Sequence, residues 1–111
     1  MQQTNDTESN AAITAIRHVT SAALHNVNNL LSPMLLSVSK VEMFLETGRI
    51  EQLKTEMPKI ISNVENHVTA ITETLRFLND IVMSDIPKMA QWRDVDVKIE
   101  LKKKIDPLIN K

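Results

Sequence analysis

Residues 13–48, ITAIRHVTSAALHNVNNLLSPMLLSVSKVEMFLETG, decide how this chain folds. Apolar or small side chains recur there at Ile13, Ile16, Thr20, Ala23, Val27, Leu30, Met34, Val38, Val41 and Leu45. Steps of three and four residues keep these positions on one face of a helix. The stretch therefore predicts one long amphipathic helix. Gly48 is the only glycine of the chain, placed where a left-handed cap would end that helix and turn the backbone.

A second series follows the turn: Ile50, Leu53, Met57, Ile60, Val64, Val68, Ile71, Leu75, Leu78 and Val82. It has the same spacing and predicts a second helix of similar length. Pro58 lies inside it. Because the apolar phase runs on through the proline, a kinked continuous helix is favoured over two short ones. The expected fold is all-α, a long antiparallel helical hairpin over residues 11–84 with helices at about 10–46 and 50–84. Two helices with narrow apolar stripes cannot shield them within one hairpin. Two hairpins packed together close a four-helix bundle, so a homodimer is expected.

The ends read differently. Residues 1–10, MQQTNDTESN, are polar and expected to be disordered or frayed, with Asn5 and Glu8 at capping-box spacing for the helix that follows. Residues 85–111 read as a linker with Pro87, then an extended piece around Trp92 to Val97. An amphipathic tail comes last, with Ile99, Leu101, Ile105 and Leu108 as its apolar positions and Pro107 weakening its end.

Composition removes several functional classes. A net charge of −1 gives no basic field for nucleic acid, and the run Lys102, Lys103, Lys104 is too short to create one. No cysteine is present, which excludes disulfides, thiolate metal sites and a thiol nucleophile. No apolar run approaches the roughly 20 residues a bilayer span requires, and the N-terminus has no signal-peptide core. The segment is expected to be cytoplasmic, with any membrane attachment carried outside it.

The chemistry-bearing stretch is HNVNNLLSP, His25 to Pro33, where amides cluster around a histidine in an otherwise core-forming helix. With Ala23 and Val27 facing inward, His25 falls on the outer face, open to solvent and to a phosphate donor. A free imidazole, with its ordinary pKa of about 6.5, is largely neutral at physiological pH and attacks through one nitrogen while the other is held by an acceptor. The amide oxygen of Asn26 is a candidate for that acceptor. Asn29, at i+4 from the histidine, is placed to orient a water or a phosphoryl oxygen. Neither amide serves as a general base.

This stretch resembles the H-box of sensor histidine kinases, especially the form His-Asp-Phe-Asn-Asn-Leu-Leu followed by a nearby proline. The match covers about nine residues, with the hairpin as its setting. The resemblance implies that His25 takes the γ-phosphoryl of ATP and passes it to an aspartate of a response-regulator receiver domain. It also implies that Asn29 holds the position, often Thr or Asn, that supports dephosphorylation of the regulator. Asn26 stands where the family usually has an acid that polarises the imidazole. The linker and tail resemble the junction into the family's ATP-binding domain, so residues 85–111 are expected to be its truncated start. ATP and Mg are expected at that domain, and no cofactor on this chain, which has no glycine-rich loop and no Asp-x-Gly-x-Gly motif.

Plainer alternatives stand beside this one. His25 is otherwise a surface histidine of a structural dimerisation coiled coil, or the acceptor of a stand-alone histidine phosphotransferase. His18 lies seven residues before it, two turns or roughly 10 Å away, too far for a shared zinc ion. No metal site is expected. His67 reads as a hydrogen-bonded histidine at the core edge without chemistry. Asn28 and Asn29 also suit a role in setting bundle register. Met34 and Met57 read as core filler, and Leu35 as an outer-face residue suited to docking a regulator.

Overall fold

Residues 2–46 contain no glycine and one proline, Pro33, and they form a single helix. The computed structural model describes residues 2–110, with side chains from residue 7 onward. Helix α1 spans Gln2–Glu46, α2 Ile50–Val82, α3 Ile86–Ala90 and α4 Asp94–Ile109, with no strand among the described residues. At about 1.5 Å per residue, the 45 residues of α1 account for the 71 Å long dimension of the molecule. Residues 2–10, expected with residue 1 to be disordered or frayed, are described as the first part of α1, which begins at Gln2. Asn5 therefore lies within the helix and not ahead of it, and the side chain its expected cap needs is outside the described residues.

The chain reverses at Gly48, whose φ of 69° is the left-handed conformation. Arg49 N–H donates to the Phe44 carbonyl at 2.9 Å and Gly48 N–H to the Leu45 carbonyl at 3.3 Å. This is the paired bonding of a Schellman cap, in which a residue without Cβ costs least. Helix α2 then runs unbroken through Pro58. The two long helices are antiparallel. Asn26 meets Thr74 across 48 residues of chain and Lys40 meets Glu56 across 16, so the pairing converges on the turn.

The packing divides the apolar residues into two sets. Inside the molecule lie Ala12, Ala15, Val19, Ala23, Leu30 and Phe44 of α1, with Ile60, Ala70, Phe77 and Ile81 of α2. Several members of the sequence periodicity lie outside it: Ile13, Val38 and Leu45 on α1, and Ile50, Met57, Val68, Leu75 and Val82 on α2, are exposed. With about 100° between successive residues, Leu24, Leu31, Val38 and Leu45 fall roughly a third of a turn away from the row Val19, Ala23, Leu30. The small alanines let the two helices approach along that inner row. The larger aliphatic side chains remain on the flank.

The tail departs most from expectation. Instead of an extended piece from Trp92 to Val97, the helix starts at Asp94, directly after Arg93, which is extended (φ −99°, ψ 156°). Asp94 and Asp96 lie in its first turn, where negative charge complements the helix dipole. Val97, Leu101 and Ile105 are buried at a spacing of four, while Ile99, expected inward, is exposed. A period-two reading of Trp92, Val95 and Val97 thus loses to a helical one. Residues 85–110 fold back on the hairpin: Val97 and Leu101 pack with Val19, Phe77 and Ile81, and Ile105 with Leu30 and Ala70. Trp92 meets Phe77 edge-on, centroids 5.3 Å apart at 86°, a contact worth about 0.5–1.5 kcal/mol beyond its buried area. Among the described residues no helix is long and apolar enough to cross a membrane.

Candidate functional site

His25 is exposed and Ala23 beneath it fully buried, with Val27 half-buried, so α1 presents the imidazole outward. The ring's contact is with Asn29, whose amide nitrogen lies 3.2 Å from His25 Nε2. An amide N–H donates here, so Nε2 accepts and the neutral ring carries its proton on Nδ1. One turn of helix separates the two residues, the spacing at which side chains of one face meet.

Asn26 is turned elsewhere. Its amide nitrogen donates to Thr74 Oγ1 on α2 at 2.8 Å, and that hydroxyl donates to the Ala70 carbonyl at 2.9 Å. Thr74 is the one fully buried polar side chain among the described residues. The acceptor contact expected of Asn26 is not made, because adjacent helical residues point about 100° apart and do not face each other; the ring is held instead by Asn29, which donates to Nε2. Asn26 is a pin between α1 and α2 that holds the register beneath His25.

Pro33 lies inside α1. It has no N–H to return to the carbonyl four residues earlier, which is that of Asn29. The helix is thus locally under-bonded one turn beyond the ring. Nearby, Ser32 Oγ donates to the Asn28 carbonyl at 3.3 Å and Ser37 Oγ to the Pro33 carbonyl at 3.1 Å.

A cleft of about 490 Å³ opens beside His25. From the hairpin it is lined by His25, Asn29 and Pro33 of α1 and by His67 of α2. Helix α4 closes its other side with Lys98, Lys102 and Asp106. His67 is hydrogen-bonded, as expected, with Nδ1 2.6 Å from the Asn63 carbonyl. A carbonyl only accepts, so Nδ1 carries a proton and donates it. The sequence reading did not join His67 or the α4 lysines to this site. The signal available was the i, i+4 spacing of Lys98 and Lys102 beside the apolar row Val97, Leu101, Ile105, legible once the tail is read as a helix.

His18 is half-buried and lines a separate pocket with Trp92 and Arg93. Among the described residues no group of three or more His, Asp or Glu side chains is placed to hold a metal ion. Leu35 is 67% exposed and Met34 half-buried. Met57, read as core filler, lies at the surface in an apolar groove with Ile50, Leu53, Pro58 and Ile61.

No family model, no curated protein and no solved structure matches the chain.

Proposed function

We propose that the chain is the phosphoacceptor segment of a two-component histidine kinase, with His25 as the phosphorylated residue. The observation that carries this reading is the His25 ring itself: exposed on the outer face of a long hairpin, with Nε2 within hydrogen-bond distance of the Asn29 amide N–H. In the reaction the Nε2 lone pair leaves Asn29 and attacks the γ-phosphorus of ATP bound, with Mg, by a separate domain. The N–P bond forms as the P–O bond to ADP breaks, and the ring then loses its Nδ1 proton to solvent. In the second step Nδ1 takes a proton back from solvent, a receiver-domain aspartate attacks the phosphoryl group, and the N–P bond breaks with its electron pair returning to Nε2 of a neutral imidazole. The ring needs no side-chain base in contact with it for this cycle, which accommodates an amide at position 26.

Asn29 has a second use. With Nε2 unphosphorylated, its amide is at the mouth of the site, where it orients the water that hydrolyses the receiver's acyl phosphate, in the manner of the amide side chains that position attacking water in GTPases.

The active form is a homodimer. The exposed aliphatic flank of α1 and α2 lies on the side of the hairpin away from α4, and a second hairpin laid on it closes a four-helix bundle. That flank equally suits a purely structural dimerisation coiled coil, the second reading, which gives His25 no role. The test is labelling with γ-labelled ATP and a lysate of the source organism, on the chain and on His25→Ala. Acid-labile, alkali-stable label on the chain and none on the variant is the expected result. Label that survives His25→Ala, or none on either while a control kinase in the lysate is active, favours the structural reading.

A further inference from the structure

We infer that α4 completes the phosphoacceptor site: Lys102, assisted by Lys98, binds the oxyanion of a phosphoryl group in the cleft beside His25. This deepens the reading of His25 above and rests on it for its biological meaning. The observations themselves are geometric. Helix α4 is fixed to the hairpin by the buried row Val97, Leu101 and Ile105, so the side chains flanking that row have a defined direction. Lys98 and Lys102 are one turn apart on the same flank and both line the cleft with His25, Asn29 and His67.

The charges there are not spent on each other. Lys102 has no ion-pair partner among the described residues, whereas Lys103 pairs with Glu100 at 3.7 Å and lies outside the cleft. Lys98 bonds Asp94 at 3.0 Å, but both side chains are substantially exposed, at 67% and 48%, and a solvent-exposed pair of this kind exchanges readily for another anion. One carboxylate, Asp106, also lines the cleft. It opposes a dianion and offsets Lys102, so the site becomes net cationic as Lys98 exchanges Asp94 for a phosphoryl oxygen. Asn29 adds an N–H donor. A phosphoryl group carries about two negative charges and three acceptor oxygens, and lysine binds such a group as a point charge at a fixed place. A phosphoryl group on His25 Nε2 enters this same space, so the lysines meet either free phosphate or phosphohistidine by the same chemistry.

The experiment is a titration of the full-length, unphosphorylated chain with inorganic phosphate, followed by ¹H–¹⁵N NMR at constant ionic strength with chloride as the balancing anion. The expected result is saturable shifts at Asn29, His25 and the backbone around Lys102. Lys102→Gln weakens binding on the order of tenfold, the loss of one charge-assisted bond, Lys98→Gln weakens it less, and Lys103→Gln leaves it unchanged. Shifts absent from this region, or equal weakening by all three substitutions, overturn the proposal. All three lysines are exposed, and the dispersed spectrum of each variant reports its folding. Because the titration needs no phosphorylated histidine, it separates from the labelling test: phosphate binding without label at His25 defeats the phosphoacceptor reading and keeps the anion site, and label without binding does the reverse.

Discussion

Asn26 and Asn29 are three positions apart and hold different partners, a contrast set by helix geometry. Asn26 joins Thr74 on the opposite helix, and Asn29 joins the His25 ring. Thr74→Val removes the acceptor while keeping the shape, leaving a half-buried amide without its partner. It is expected to cost about 1–3 kcal/mol, measured by urea unfolding. Asn26→Ala removes the donor and is expected to cost about 1 kcal/mol, and the double variant should cost less than the two together. For Asn29→Ala, loss of receiver dephosphorylation on the order of tenfold to a hundredfold is expected, with phosphotransfer much less affected, since the nucleophile is untouched. Equal loss of both in a phosphotransfer assay would contradict the role given to Asn29. The outward position of His25 was legible from heptad phase alone. The division of labour between the two asparagines was not, because Thr74 lies 48 residues away in the chain and nothing local announces it.

The helices themselves were largely legible. Gly48 and the two apolar series placed the turn and both long elements, because a 3.6-residue period and a single left-handed residue are local properties. Gly48→Ala meets no steric neighbour within 4 Å, so its whole cost is the left-handed φ of 69°. About 1–2 kcal/mol is expected, read as a lower urea midpoint with an unchanged slope. The segment after Val82 was misread for a physical reason. Trp92, Val95 and Val97 alternate over too few residues to tell a strand from the start of a helix, and only packing against α1 and α2 decides between them. Leu101→Ala opens a cavity where α4 meets Phe77 and is expected to cost about 2–5 kcal/mol. Trp92, the only tryptophan, reports the undocking through its fluorescence. An unchanged midpoint in that variant would mean that α4 is not part of this core.

The molecule as a whole has two unlike sides. One is covered by α4 and carries the cleft at His25; the other shows bare aliphatic residues along most of its 71 Å length. An exposed apolar surface of that extent marks an interaction site, and the sequence periodicity spans both surfaces: Ala23, Leu30 and Ile60 belong to the hairpin's core, while Val38, Leu45, Met57, Val68, Leu75 and Val82 belong to this outer flank. Sequence reading could find the stripe but could not say which neighbour buries it. A dimer of twice the 12.6 kDa chain mass is expected by sedimentation equilibrium. Leu31→Glu with Leu75→Glu, both exposed within one chain, should shift it to monomer; a wild-type chain that sediments as a monomer at all accessible concentrations would contradict the bundle.

The proposed role of His25 is open to a test with a small phosphoryl donor, without any kinase. Phosphoramidate transfers its phosphoryl group to an available imidazole nitrogen as its own P–N bond breaks and ammonia leaves. The chain has three histidines, each in a different setting, and they serve as controls for one another. Site mapping by mass spectrometry under alkaline conditions should find the phosphoryl group on His25 well ahead of His18 and His67, with a label that a receiver domain can remove. Equal labelling of all three, or a product on His25 that no receiver domain accepts, would contradict the account.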